Sequence, residues 1–100
     1  MIIIAGTLAF DSSKRSILDE AFDTMRAASL QEAGCHEYQC YVSRTDPGLA
    51  FFFEKWEDDD ALAGHMQSPH MAVFGKVFGA IGVKGVDVKK YSGATEGPLH

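Results

Sequence analysis

The segment Leu49–Trp56 is the strongest constraint on what this chain can become. Read as a strand, it puts Phe51, Phe53 and Lys55 on one face and Ala50, Phe52, Glu54 and Trp56 on the other. Both faces are bulky and apolar, so a sheet built on this strand needs two covers. A chain of 100 residues has helices enough for one cover. A single short domain also buries a smaller fraction of its surface than a large one. A second copy of the molecule is the obvious candidate for the other face, and a homodimer is expected.

The length leaves room for one domain. A net charge of −5, with nine Lys and Arg residues scattered along the chain, gives no basic stripe. Nucleic acid is therefore not an expected partner. The longest apolar runs, Met1–Ala5 and Leu49–Phe53, are five residues each, against about 20 for a membrane span and about 7 to 15 for a signal-peptide core. No membrane partner is expected, and the protein reads as soluble and cytoplasmic. The two cysteines, Cys35 and Cys40, match no zinc or redox spacing. On one regular strand they would point to opposite faces, so both read as reduced thiols.

Around Leu49–Trp56 the other elements fall into place. Met1–Phe10, rich in Ile, reads as a first strand. Asp11-Ser12-Ser13 supplies cap residues for a helix of about five turns, on which Ile17, Leu18, Ala21, Phe22, Met25, Ala28 and Leu30 recur at helical spacing. Gly34 is expected to close that helix. Cys35–Ser43 alternates, with Tyr38, Cys40 and Val42 on one side, and Asp46-Pro47-Gly48 turns it back into Leu49–Trp56 as an antiparallel hairpin. Asp58-Asp59-Asp60 suits a helix start better than a calcium loop, whose spaced ligands and closing Glu are missing. Ser68-Pro69 starts a further helix with the apolar stripe Val73, Phe74, Val77, Phe78 and Ile81. Val83–Tyr91 reads as the last strand. The result is an α+β chain, a ferredoxin-like βαββαβ domain with an antiparallel sheet over residues 1–92, followed by a frayed tail, residues 93–100.

The chain also carries an ordered set of short motifs. Glu32-Ala33-Gly34-Cys35 is followed by Tyr38, Asp46-Pro47, Phe53-Glu54-Lys55-Trp56-Glu57-Asp58, Ala61-Leu62, His65 and Ser68-Pro69-His70. In this order and spacing they resemble the antibiotic biosynthesis monooxygenase family over about residues 1–92. The resemblance implies a dimeric α+β barrel, in which two ferredoxin-like sheets pack face to face and each subunit keeps a pocket between its sheet and its helices. It also implies oxygenation of quinol-like or phenolic rings by molecular oxygen, with no cofactor. Haem-degrading branches of the family carry an Asn on the first strand, and this chain has Thr7.

Such a reaction asks for an apolar cavity that holds a flat ring, a group that favours the phenolate, and polar atoms near the reduced oxygen. His65 is the candidate base, or else a structural histidine bonded to a carbonyl or to Glu54. Trp56 is the candidate ring-stacking wall, or else core filling. Tyr38, Phe52, Glu54, Leu62 and Phe74 are the candidate substrate-binding residues. Glu54 needs a partner among so many aromatic groups, either His65 or a cation across the dimer. His65 and His70 straddle Pro69 and do not share a helical face, so no metal site is expected. The other reading of the same fold is a dimer that binds a small aromatic molecule without turnover.

Overall fold

The computed structural model describes residues 1–100. At its centre β3 (Leu49–Trp56) pairs antiparallel with β1 (Ile2–Ala9) on one side and β2 (Cys35–Val42) on the other. β4 (Gly85–Tyr91) adds to the free edge of β1, giving the order β2-β3-β1-β4. The helices α1 (Arg15–Ser29), α2 (Asp59–Met66) and α3 (Pro69–Ala80) gather on one face. This is the ferredoxin-like α+β arrangement, with its second helical region broken in two at Ser68-Pro69.

The two faces of β3 have different fates. Ala50, Phe52, Glu54 and Trp56 are buried beneath the helices. On the outer face Phe51 remains 40% exposed, beside Tyr41 of β2 at 57%. The core is built from the inner face of the sheet and from Leu18, Phe22 and Met25 of α1, whose spacing of roughly one and two turns sets them on one stripe. Ile17 and Val73, at the borders of the two helical stripes, stay exposed.

Each helix start follows its sequence signal. The Asp11 side chain accepts from the Ser13 N–H at 3.0 Å and opens a short 3-10 turn, Ser12–Lys14, ahead of α1. Asp58 caps α2 by accepting from the Ala61 N–H at 2.9 Å, and Asp59 and Asp60 lie in its first turn. Ser68 caps α3, accepting from the Met71 N–H at 3.1 Å, with Pro69 in the first turn.

Two expectations fail locally. α1 ends at Ser29, not at Gly34, because the next bonds tighten: the Gln31 N–H reaches the Ala28 carbonyl at 3.2 Å and the Glu32 N–H the Ser29 carbonyl at 3.0 Å. Gly34 instead sits in the turn into β2 at φ 84°, where a Cβ would lie 2.6 Å from that of Ala61. The cysteines do not point to opposite faces either. An irregularity between Cys35 and Glu37 shifts the phase of β2, so Cys35 and Cys40 both pack against the core, as free thiols.

The tail is tied down at two points. The Ala94 N–H donates to the Met1 carbonyl at 3.0 Å, and Lys55 Nζ on the outer face donates to Glu96 at 2.7 Å. No helix is long and apolar enough to cross a membrane.

Candidate functional site

Strand alternation places Phe52, Glu54 and Trp56 side by side under the helices. Register then sets Tyr38 of β2 and Ile4 of β1 on either side of Glu54. α2 brings Leu62 and His65 above them, and α3 brings Phe74 and Phe78. The space enclosed is a cavity of about 430 Å³, mostly apolar, whose polar groups are Tyr38, Glu54, His65, Lys89 and Lys90. Phe52, Phe74 and Phe78 line this space without filling it. Its open side lies under β4, where Val86 faces inward yet is 56% exposed. Lys90 reaches from that strand to Asp59 at the start of α2, at 2.6 Å.

Six of the seven residues singled out from the sequence line the cavity: Tyr38, Phe52, Glu54, Leu62, His65 and Phe74. Trp56 does not. It is 0% exposed and lies behind His65, with ring centroids 4.6 Å apart and planes at 35°. Its indole N–H donates to Glu54 Oε1 at 2.9 Å. The tryptophan therefore holds a polar pair in place and is not a wall against which a substrate ring stacks.

The partner expected for Glu54 is also corrected. His65 is not that partner: Trp56 satisfies one carboxyl oxygen, and His65 turns its Nδ1 to Glu32 instead. Burial pushes the Glu54 carboxyl up to about 7, while the indole bond pulls it down and the nearby Glu32 charge adds to the rise. Burial likewise pushes the Tyr38 phenol well above its usual value, with Glu54 adding to the shift. The imidazole of His65 is held below its ordinary value, again chiefly by burial, although Glu32 opposes this. Near neutral pH the cavity thus presents a carboxyl group poised to exchange a proton, beside a neutral imidazole and a neutral phenol.

His65 turns its Nδ1 to Glu32 Oε2, at 2.7 Å. His70 places its Nε2 3.2 Å from the same oxygen, out of line for a hydrogen bond, and that nitrogen is enclosed with no other partner. An unpartnered buried nitrogen costs on the order of 1–3 kcal/mol. The donor atoms of Glu32, His65 and His70 lie within 4.8 Å of one another. Helical spacing alone could not find this group, since His70 is on a different helix from His65. The signal was the corner between them: Ser68 Oγ donates to the His65 carbonyl at 2.7 Å while capping α3, and this folds His70 back beside His65.

Comparison with known proteins agrees with this architecture. The curated relative sll1783, an uncharacterized protein of Synechocystis, is 28% identical over 90 residues, which is 90% of this chain and 61% of that protein. The chain thus spans about 61% of the length of that relative. The structure of Rv0793 from Mycobacterium tuberculosis superposes with a TM-score of 0.85 at 25% identity, covering 97% of this chain and 98% of that one. A Deinococcus radiodurans protein shares the fold with a TM-score of 0.89 at 21% identity, covering 100% and 99%. The sequence pattern of one family runs through residues 1–77, from the first strand into the last turn of α3. The chain belongs to the antibiotic biosynthesis monooxygenase family.

Proposed function

We propose that the chain is a cofactor-independent monooxygenase of a quinol-like or phenolic small molecule, with the cavity beside Glu54 as its active site. The observation that carries this reading is the Glu54 carboxyl, buried in an apolar cavity of about 430 Å³, where burial pushes it up to about 7. A base poised near the working pH is what removal of a phenolic proton requires.

The substrate supplies every electron. Glu54 takes the phenol proton, and the phenolate passes one electron to molecular oxygen. The resulting radical pair joins at a hydrogen-bearing ring carbon ortho or para to the oxygen, and the peroxide so formed takes a proton from Glu54. Loss of the hydrogen on that carbon as a proton and cleavage of the O–O bond expel hydroxide and leave the quinone. One oxygen atom enters the ring and the other leaves as water, so phenol plus oxygen gives quinone plus water. Phe52, Phe74 and Leu62 hold the ring and keep water away. His65, its Nδ1–H held by Glu32, offers Nε2 to the cavity as an acceptor for the O–H of the protonated peroxide.

In this reading Glu54 takes the role of base, and Trp56 is a positioning residue for both Glu54 and His65. The outer face with Phe51 and Tyr41 belongs to a homodimer, which supplies the second cover that β3 needs. Oxygen uptake measured with a panel of hydroquinones and phenols tests the proposal. Uptake that requires the protein and falls at least tenfold in Glu54→Gln supports it. Ligand-induced thermal stabilisation with uptake at background would leave a binding dimer without turnover.

A further inference from the structure

We propose that Glu32, His65 and His70 form a binding site for a divalent transition-metal ion of the zinc class. Its protein ligands are Glu32 Oε2, His65 Nδ1 and His70 Nε2, and one position is left for water or an added ligand. Oxygen transfer as written above needs no such ion, and the two sites share only His65, through different ring nitrogens.

The donor set is the first argument. Two imidazole nitrogens and one carboxylate oxygen suit zinc, cobalt or nickel, whereas calcium and magnesium take oxygen donors. The spacing is the second. A tetrahedral ion about 2.1 Å from each ligand needs donors about 3.4 Å apart. Here both nitrogens converge on one oxygen, at 2.7 and 3.2 Å, and no pair in the group exceeds 4.8 Å. Small side-chain rotations open the first contact to that spacing.

The third argument is the unused nitrogen. Glu32 Oε2 already takes a hydrogen bond from His65, and His70 Nε2 lies buried beside it with no hydrogen-bond partner. An ion between the three groups would accept that lone pair and relieve the crowding on one oxygen.

The ligands are also held before any ion arrives. His65 is only 2% exposed, packed against Trp56 at 4.6 Å and Tyr38 at 5.4 Å between ring centroids. The tightened end of α1 sets Glu32, and the Ser68-Pro69 corner sets His70. An approach exists too, since His70 also lines an open groove of about 360 Å³ between α1 and α3, with Glu20 and Thr24. A bound ion would pin the α1–β2 turn to the corner between α2 and α3. It would also fix the imidazole of His65 by its Nδ1 and leave Nε2 toward the cavity.

The full chain, freed of metal with a chelator, is titrated with zinc by calorimetry and with cobalt(II) by visible absorption. The expected result is one ion per chain, the intense absorption of four-coordinate cobalt, and a raised melting temperature. His70→Ala and Glu32→Gln, checked for folding by circular dichroism, should each weaken zinc binding at least tenfold. His36→Ala, which removes the exposed His36–Glu57 pair, should leave it unchanged. In the parent chain zinc should shift the imidazole nitrogen resonances of His65 and His70 and leave those of His36 and His100 in place, a readout that needs no variant to fold. The absence of saturable binding, a His70→Ala variant that binds like the parent, or resonance shifts confined to His36 or His100 would each overturn the proposal.

Discussion

The indole N–H of Trp56 donates to Glu54 Oε1 at 2.9 Å, from a neighbouring inward position on the same strand. The bond joins the one tryptophan of the chain to the one glutamate that strand alternation buries. It also works against burial, since it pulls down a carboxyl that its surroundings push up to about 7.

Removing that donor should therefore raise the Glu54 carboxyl further. Trp56→Phe keeps an aromatic ring against His65 but leaves the carboxyl unpartnered and a space behind it. The expected cost is about 2–4 kcal/mol of stability. Carbon-13 titration of the Glu54 carboxyl and urea unfolding at fixed pH measure the two effects. A Glu54 titration unchanged or lowered in the variant would contradict the role given to the indole.

Glu54 also makes stability depend on pH, with a definite sign. Its folded value, about 7, lies above the ordinary 4.5. The folded state therefore holds the proton more tightly, and stability falls as pH rises from about 4.5 through about 7. The penalty above that window is on the order of 3 kcal/mol, at 1.36 kcal/mol per pH unit. Glu54→Gln keeps an acceptor for Trp56 and carries no charge. Its stability should match the parent near pH 4 and exceed it near pH 8, which denaturant unfolding at the two pH values would show. A variant that tracks the parent at both would mean that the carboxyl is not buried in solution.

The hairpin, the three helix starts and the inward row of β3 were all legible in the sequence, because each depends on local chemistry: a turn dipeptide, a capping side chain, a period of two. The same alternation points Tyr38, Phe52 and Glu54 to the face that lines the cavity. What depended on the path of the chain between elements was not legible. Trp56 and Phe52 share a face, yet only the position of α2 over the end of β3 seals one away from the cavity and leaves the other on it. Glu32 meets His65 because α1 stops at Ser29 and the chain tightens, whereas the periodicity carried the helix on to Gly34. The irregularity in β2 that turns Cys35 inward leaves no mark in the residue pattern.

One close approach was likewise hidden. Gly6, in the middle of β1, has φ +157°, and a Cβ there would lie 2.0 Å from the Asp87 carbonyl oxygen of β4. Backbone, not a movable side chain, is in the way. Gly6→Ala should push β4 off β1 and destabilise the fold by more than about 2 kcal/mol. Hydrogen exchange should show the amides of β4 losing protection before those of β2. Equal loss in both strands would place the strain elsewhere.

The outer face of the sheet offers the most direct test of the proposed dimer. Phe51 lies opposite Tyr41 on β2 and Thr7 on β1, so its ring stands amid the exposed surface that a second sheet would cover. A charge placed there would have to be buried unpaired on association, at a cost larger than most single contacts supply. The inner face would not feel it, because Phe51 points away from the cavity and the helices. Phe51→Asp should therefore shift the chain from dimer to monomer in sedimentation velocity at micromolar concentration, while the monomer keeps its helical circular dichroism. A parent chain that sediments as a stable monomer would overturn the dimer outright. A Phe51→Asp variant that still sediments as a dimer would move the interface to another surface, with the exposed inward side of β4 at Val86 next to be tested.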